Sequence, residues 1–437
     1  MDLAIYLAGA VVFFGLVMAS IALHEIGHLV PAKLFGVKTT QYFVGFGRTL
    51  WSRRRGETEY GIKAIPLGGY VRFVGMFPPA KSRPGQIRTY STGPFRALAD
   101  NARAAEWQDI QLEDDGRLFY QKKSWQKLVI MAGGPMMNVL LAFLILLGVT
   151  MTYGVYRTQL EIAQVPECIV EAPDPNVPAA PTGCAGKPPT PAVLSGIRTG
   201  DTIVAFNGKP VSTWREVSVL IRENLDRSAQ ITVQRDGQRV ELTPVNTVIN
   251  GVPDRYDPSK RIAAGFFGVV PVQEKVRGGP IAVVGDMWEM TKQTAVALTA
   301  FPVKVFYTAY NLVTGQPRDI YGPMSILGAS RAAGEIAATD KIGPADKLAS
   351  GFTVLGSVNL FVALFNFVPL LPLDGGHIAG AIYEGIRRQF ARLRKRPDPG
   401  YVDTARMLPV AYVVGGVIMI SGIVLILADL IDPIRLF

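Results

Sequence analysis

Runs of uncharged, apolar residues alternate with polar stretches along the chain. The first run, residues 3–23, has 21 residues without a charge; as a helix it would be about 30 Å long and would cross a bilayer. Three more segments of spanning length lie within residues 128–156, 348–373 and 407–428. The pattern predicts a polytopic α-helical membrane protein with four transmembrane helices.

The charged residues between these runs set the direction of each helix. Lysines and arginines outnumber acidic residues by two to one in residues 37–127, and by more in residues 379–406. The positive-inside rule places both stretches in the cytoplasm, so the first and third helices run inward and the other two outward. Topology thus explains the net charge of +10, and no basic module with interleaved aromatics indicates a nucleic-acid partner. The first run follows no basic segment and precedes no small-residue cleavage site, so we expect a retained anchor.

Two histidines and a glutamate stand at the end of the first run. His24 and His28 are one helical turn apart, so both imidazoles project from one face, with Glu25 beside them. Two neutral imidazoles supply half of a tetrahedral zinc site, and a neighbouring carboxylate can accept a proton from an activated water. Ionisable residues at the end of a spanning helix are costly unless they bind something. A zinc site is therefore favoured over three polar residues at the membrane interface.

The end of the third helix reaches a similar depth, because the first and third helices run in the same direction. Pro369 and Pro372 interrupt the helix there, and a glycine pair before His377 permits a sharp turn. Irregular backbone at membrane depth requires protein or a water-filled cavity around it. We expect Asp374 to be the third zinc ligand, with His377 as the competing candidate and a fourth position left for water.

The stretch between the first two helices is rich in β-formers. Residues 42–47 and 59–74 read as short strands punctuated by glycine. Such a membrane-associated sheet could leave an unpaired edge to which an extended substrate adds, although a plain cytoplasmic hairpin fits the same residues. Residues 78–126 turn polar and are interpreted as a mobile cytoplasmic insert without a legible function.

The segment between the second and third helices contains a soluble domain outside the membrane, residues 157–280. Residues 195–211 give a turn, a strand and an Asn-Gly hairpin turn, and residues 213–224 a helix that opens with a capping box. This order resembles a PDZ domain. Cys168 and Cys184 lie in a proline-rich insertion of this domain, and its extracytoplasmic location makes a disulfide between them plausible.

Two further helical segments carry no obvious chemistry. Residues 281–311 show a helical pattern with scattered charges, and their longest uncharged run is too short to span, so we expect this helix to lie flat on the outer surface. The second transmembrane helix opens with Gly133, Gly134 and Pro135, followed by Asn138. Small residues permit close helix packing, and a packing role is expected for Asn138.

The chain resembles the site-2 protease family of intramembrane zinc metalloproteases, specifically the bacterial regulator-of-sigma-E type (RseP-like). The resemblance covers nearly the whole length, and its first and last segments together are highly specific. It rests on His24–His28, on Pro66–Tyr70, on Gly134–Asn138, on the PDZ-like segment, on Gly322–Ile326 and on Asn366–Gly375.

The resemblance implies a set of roles for individual residues. It implies Zn²⁺ held by His24, His28 and Asp374, with Glu25 as the catalytic base. It further implies that Asn366 contacts the substrate backbone or the oxyanion, and that the sheet containing Gly68, Gly69 and Tyr70 helps to hold substrate. Two features depart from the family: only one PDZ-like domain where some relatives have two, and the insert after Pro78.

The implied activity is hydrolysis of peptide bonds inside the membrane, as a step of regulated intramembrane proteolysis in a stress response. The implied substrates are single-pass membrane proteins such as anti-sigma factors, and the implied location is the bacterial inner membrane. The alternative function is a non-catalytic PDZ membrane scaffold, which predicts no stoichiometric zinc. A metal transporter fits less well, because the polar residues cluster at one depth.

These expectations divide the chain into nine segments. In order they are the first transmembrane helix (1–36), the re-entrant β-sheet (37–77), the cytoplasmic insert (78–126), the second transmembrane helix (127–156), the extracytoplasmic PDZ-like domain (157–280), the outer-surface helix and linker (281–347), the third transmembrane helix with the Asp ligand (348–378), a cytoplasmic loop (379–406), and the fourth transmembrane helix and tail (407–437).

Overall fold

The computed structural model describes residues 2–78, 110–169, 184, 186–253, 261–319 and 322–434. Most of the predicted insert, residues 79–109, lies outside these ranges. The chain forms two compact units. The helical unit combines Met1–Val149 with Gly279–Phe437, and the outer unit is Thr150–Gly278.

Helices make up most of the helical unit, and two shorter ones belong to the outer unit. Within the described residues they are α1 (Leu3–Leu34), α2 (Ser124–Thr152), α3 (Pro191–Ser195), α4 (Trp214–Asn224), α5 (Pro280–Thr314), α6 (Ile326–Ala338), α7 (Pro344–Asn366), α8 (Asp374–Leu393) and α9 (Leu408–Ile431).

Five helices in the described part of the chain are long and apolar enough to cross a membrane, where the sequence predicts four. The additional one is α5, a single unbroken helix of 35 residues. The prediction took the longest uncharged run as the measure of length. Asp286, Glu289 and Lys292 shorten that run, but three charges spread over about two turns do not end a helix. The predicted count of four is therefore not confirmed.

The segment after α7 also differs from the prediction. The sequence analysis places Asp374 at the end of the third transmembrane helix and a loop over residues 379–406, whereas Asp374 begins a separate helix, α8. Arginines on α8 give its sequence the charge density of a loop. Ile382, Ile386 and Phe390 are nonetheless exposed along it, which is typical of a helix at a membrane surface.

Glycines allow the helices around α1 to approach at backbone distance. A Cβ atom built on Gly9 would lie 2.6 Å from Ala337 Cβ of α6. Gly27 of α1 and Gly133 of α2 face each other so closely that a Cβ on either would overlap the carbonyl oxygen of the other. Small residues at these positions bring neighbouring helices close to the His24–His28 turn.

The predicted sheet of the helical unit is present and longer than expected, as β1 (Thr39–Arg55) and β2 (Thr58–Phe73). The first residues of β1 lie between two stretches of β2: Phe43 pairs with Tyr70 on one side and with Gly61 on the other. Residues 69–73 therefore form one edge of the sheet, and no described strand pairs with their other side. The Tyr42 hydroxyl donates to the Ala22 carbonyl of α1 at 2.9 Å and ties the sheet to that helix.

The outer unit has its own sheet and its own core. Buried apolar side chains from its strands and from α4, including Ile162, Ile203, Phe206, Val217 and Val233, pack together in one cluster. The described strands of this unit are β3 (Val155–Gln164), β4 (Thr202–Phe206), β5 (Lys209–Pro210), β6 (Ser228–Ala229), β7 (Ile231–Arg235), β8 (Gln238–Glu241), β9 (Val245–Asn246), β10 (Val248–Pro253), β11 (Arg261–Phe266) and β12 (Val270–Val276). The main sheet has the order β12-β3-β4-β7-β8, with β5 beside β4. Strands β6 and β9 form a separate pair, and so do β10 and β11.

Candidate active site and metal centre

Three side chains from α1 and α8 converge in the helical unit. Asp374 Oδ2 lies 3.3 Å from His24 Nε2 and 3.3 Å from His28 Nε2. The two Nε2 atoms are 3.2 Å apart. Both imidazoles are buried, and Asp374 is partly buried. Two distant segments of the chain thus present three ligand atoms to one point.

The spacing of these atoms fits a metal ion. Zinc bonds of about 2.0–2.1 Å in tetrahedral geometry place neighbouring ligand atoms about 3.3 Å apart. The three donor atoms form a nearly equilateral triangle of this size. Two imidazoles and a carboxylate are also a donor set typical of catalytic zinc, with one position left for water or substrate. His24, His28 and Asp374 are therefore suited to hold zinc.

The elements that carry the ligands explain their convergence. His24 and His28 occupy one face of α1, four residues apart. A non-helical turn separates α7 from α8 and redirects the backbone, so that Asp374 is the first residue of α8. Gly375 packs against the carbonyl oxygens of Phe367 and Val368, which leaves no room for a side chain in this turn.

A hydrogen bond to α2 orients one of the two imidazoles. His28 Nδ1 is 2.8 Å from the Ile130 carbonyl oxygen, which can only accept, so Nδ1 carries the proton. Nε2 of His28 is then the unprotonated nitrogen that a metal requires. His24 Nδ1 is buried and has no hydrogen-bond partner among the described residues.

Glu25 shares a cavity of about 630 Å³ with the three candidate ligands. The Glu25 side chain is buried, at 9% exposure. A Cβ atom built on Gly69 would lie 2.9 Å from Glu25 Cγ and 3.4 Å from Glu25 Oε1, so the edge of the sheet runs directly past this carboxylate. A proton acceptor, a metal site and a sheet edge thus meet in one space.

The other residues singled out from the sequence line the same cavity. They are Gly68, Gly69 and Tyr70 on β2, Asn366 at the end of α7, and His377 on α8. His377 is outside the group of residues whose donor atoms can reach one ion. Among the described residues, the structure therefore favours Asp374 over His377 as the third ligand.

The contacts that α2 makes with the two imidazoles were not predicted from the sequence. The Ile130 carbonyl has no signal in the sequence, since any residue supplies a carbonyl. Gly133 and Gly134 were noticed and read as packing residues only. In the structure Gly134 lies against both imidazoles, where a Cβ would crowd the Nε2 atoms of His24 and His28. The position of the glycine pair beside an HExxH helix was the available clue.

Cys168 and Cys184 lie together in the outer unit. Their sulfur atoms are 2.04 Å apart, so the two residues form a disulfide in this structure.

A buried histidine pair with a neighbouring glutamate, joined by an aspartate within a bundle of apolar helices, defines a membrane-embedded metallohydrolase. Comparison with known proteins identifies the family within this class. The model of peptidase family M50 matches residues 12–398, and the chain belongs to that family.

Curated relatives support the same assignment. The chain is 32% identical to zinc metalloprotease Rip1 of Mycobacterium tuberculosis, over 99% of both proteins. It is 26% identical to metalloprotease MmpA of Caulobacter vibrioides over 84% of both, and 24% identical to zinc metalloprotease RasP of Shouchella clausii over 86% of this chain and 90% of the relative. The predicted site-2-type intramembrane zinc metalloprotease is confirmed at this level.

Proposed function

We propose that His24, His28 and Asp374 are the zinc ligands and that Glu25 is the catalytic base. The observation that supports this most strongly is the triangle of donor atoms with 3.2–3.3 Å edges, located in the cavity that also contains Glu25. Zinc bound there supplies Lewis-acid activation of a water molecule and of the scissile carbonyl group.

Glu25 would accept a proton from the attacking water and pass it to the leaving amine. Its burial among apolar helices keeps bulk water away from the carboxylate. Asn366 also lines the cavity, and its side-chain amide would donate a hydrogen bond to the oxyanion or to the substrate backbone.

The edge of the sheet, residues 69–73, would hold the substrate in an extended form. A transmembrane helix hides each scissile carbonyl in its own hydrogen bonds, so it must unwind before hydrolysis. Pairing with Gly69, Tyr70 and the residues after them replaces part of those hydrogen bonds. This edge passes Glu25, which places an added strand next to the catalytic carboxylate.

The substrates would be transmembrane segments of single-pass proteins, such as anti-sigma factors in regulated intramembrane proteolysis. A site built from apolar helices suits an apolar segment that arrives through the lipid. The protein would reside in the bacterial inner membrane with the active site near the cytoplasmic side, because the basic stretches that flank α1 and α8 are placed there by the positive-inside rule.

The convergence of His24, His28 and Asp374 also constrains how often the chain crosses the membrane. Asp374 meets the histidine pair only if α7 runs in the same direction as α1, so the chain must be on the outer side before α7 begins. The preceding span α2 ends on the outer side. Helices α5 and α6 together would therefore make no net crossing, and four full crossings remain: α1, α2, α7 and α9.

The outer unit would be an extracytoplasmic PDZ-like domain that selects substrates. A groove of about 900 Å³ lies between β3 and α4 of this unit. Its lining includes three arginines, Arg157, Arg215 and Arg222, and two carboxylates, Glu161 and Glu274. These charged side chains beside a sheet strand would suit an extended peptide or a chain terminus. The domain would admit membrane proteins whose own outer part has already been removed.

The substitution Glu25→Gln tests the proposed mechanism. Glutamine keeps the shape of the side chain but cannot accept the proton, so cleavage of a transmembrane substrate should fall by at least about 100-fold. The zinc content of the purified variant should stay at one ion per chain, because Glu25 is not a ligand. Membrane proteins that accumulate in cells carrying this variant supply the substrates for the assay.

Glu113→Gln, an exposed glutamate outside the cavity, is the matched control and should cleave at the wild-type rate. Wild-type cleavage by the Glu25→Gln protein would exclude Glu25 as the base. A wild-type protein without stoichiometric zinc would exclude the metalloprotease and favour the scaffold.

A further inference from the structure

One face of α2 lies beside the candidate metal site, and the proposed mechanism gives it no function. It approaches α1 at Gly27 and Gly133, where the two backbones are in direct contact. No side chain can be added to either glycine without overlap with the opposite carbonyl oxygen. This contact fixes the distance between α2 and the helix that carries both histidines.

Gly134, the next residue of α2, faces the candidate ligands themselves. A Cβ atom built on Gly134 would lie 2.7 Å from His24 Nε2 and closer still to His28 Nε2. These two atoms are the candidate ligand atoms, and the next neighbour is the ring carbon Cδ2 of His28 at 2.7 Å. The space next to Gly134 is therefore the space between the two metal-binding nitrogens.

The distances give this contact a specific meaning. A zinc ion bound to an imidazole lies about 2.0–2.1 Å from the nitrogen. A methyl group at position 134 would overlap both imidazoles at their Nε2 atoms, so the two rings could not keep the positions from which these nitrogens face Asp374. Relief of the overlap would require one or both imidazoles to turn away from Asp374.

A second contact of the same helix face acts on the same ligands. Ile130 precedes Gly134 by four residues, so the two lie one above the other on α2. The Ile130 carbonyl accepts the Nδ1 proton of His28 at 2.8 Å. One helix face thus selects the nitrogen of His28 that faces the metal and leaves room for the metal beside it.

We propose that Gly134 is a positioning residue of the metal site, whose missing side chain keeps open the volume in which His24 and His28 hold zinc. Asp374 closes the site from α8, and α2 forms its back wall. The inference rests on the proposed zinc ligands and extends them to a third helix.

The test is the zinc affinity of full-length Gly134→Ala protein in detergent, measured by competition with a chelator. Gly148→Ala is the matched control, because Gly148 lies on the same helix with no atom within 4 Å of its Cβ position. We expect Gly134→Ala to bind zinc about 10–100-fold more weakly than wild type, as is usual when the surroundings of metal ligands are disturbed, and Gly148→Ala to match wild type. Cobalt absorption spectra of the same proteins should show altered coordination only in Gly134→Ala.

Thermal unfolding of the metal-free proteins separates a positioning role from a structural one. Alanine favours the helix, and the crowded imidazoles are free to rotate without metal, so metal-free Gly134→Ala should unfold no earlier than metal-free wild type. Equal zinc affinity in Gly134→Ala and Gly148→Ala would overturn the proposal, and so would a Gly134→Ala protein that is unfolded even without metal. Absence of zinc binding in wild type and in Gly148→Ala would instead refute the ligand assignment itself.

Discussion

Asp201 shows how a single buried carboxylate is stabilised in the outer unit. Arg235 donates to both of its oxygens at 2.8 Å, and the Arg198 N–H donates a third hydrogen bond at 2.8 Å. The Asp201 side chain is 2% exposed. Burial acts to raise the pKa of this carboxyl, but the hydrogen bonds from Arg235 and Arg198 outweigh burial and hold the pKa below its usual range.

This carboxylate makes the stability of the outer unit dependent on pH. Because the pKa of Asp201 is lower in the folded unit than the value of about 3.9 in an unfolded chain, the unfolded state takes up the proton first as the pH falls. The stabilisation is complete above about pH 5 and is lost as the pH falls through the folded pKa. Urea unfolding of residues 150–278, which form a compact unit, should show a midpoint that falls below about pH 4.

Asp201→Asn should lower the free energy of unfolding of this unit by about 1.5–3 kcal/mol at pH 7 and flatten its dependence on acid pH. Asp236→Asn is the control, because Asp236 is an exposed turn residue and should unfold like wild type. An Asp201→Asn unit with wild-type stability at neutral pH would show that this ion pair contributes nothing.

At the scale of elements, the position of one strand decides what the cavity can accept. Residues 69–73 pair with β1 on one side only, while the same residues line the cavity with the candidate ligands. The strand lies against Glu25 because Gly69 has no side chain there. The edge and the carboxylate therefore form one structural unit.

Gly69→Ala should slow cleavage by about 10–100-fold, because its Cβ would meet Glu25 Cγ at 2.9 Å and the Phe43 carbonyl oxygen at 3.1 Å, and small displacements of a catalytic group are costly. Zinc affinity should stay at the wild-type value, since Gly69 does not contact the ligands' Nε2 atoms. Gly15→Ala, with open space at its Cβ position on α1, provides the comparison and should cleave normally. Undiminished cleavage by Gly69→Ala would argue against a close contact between this strand and a catalytic Glu25.

For the whole molecule, the proposed zinc site of His24, His28 and Asp374 predicts that α1 and α7 cross the membrane in the same direction. Asp340 lies just before α7, and Arg396 lies just after α8; both are exposed. The two positions are predicted to lie on opposite sides of the membrane, with Asp340 outside and Arg396 in the cytoplasm.

Single cysteines test this arrangement in intact cells, because Cys168 and Cys184 are joined and do not react. A membrane-impermeant maleimide should label Asp340→Cys in intact cells and Arg396→Cys only after the membrane is opened. Labelling of both positions from the same side would mean that α7 does not carry the chain across the membrane. Labelling of Arg396→Cys in intact cells and of Asp340→Cys only in opened ones would mean that α5 and α6 make a net crossing. Either result would overturn the proposed topology.

The class of protein and the candidate zinc-binding motif could be predicted from the amino-acid sequence alone. The spacing of His24, Glu25 and His28 is a local property of one helix, and apolar length is a local property of each candidate span. The predicted direction of the helices and the break near Pro369 made Asp374 the expected third ligand, with His377 as its competitor, and the structure brings Asp374 to the histidine pair. Proteins of this kind are therefore recognisable from short motifs, and the match to peptidase family M50 confirms the recognition.

The residues that surround the His24–His28 motif are visible only in the folded chain. Helix α5 extends over 35 residues and residues 374–393 form helix α8, although the charges in these segments favoured a shorter helix and a loop. The contact of Gly134 with both imidazoles and the hydrogen bond from His28 to Ile130 join residues of different helices. A carbonyl oxygen has no signal in the sequence, and a glycine shows there only as a small residue, because the effect of both depends on which helix packs against them.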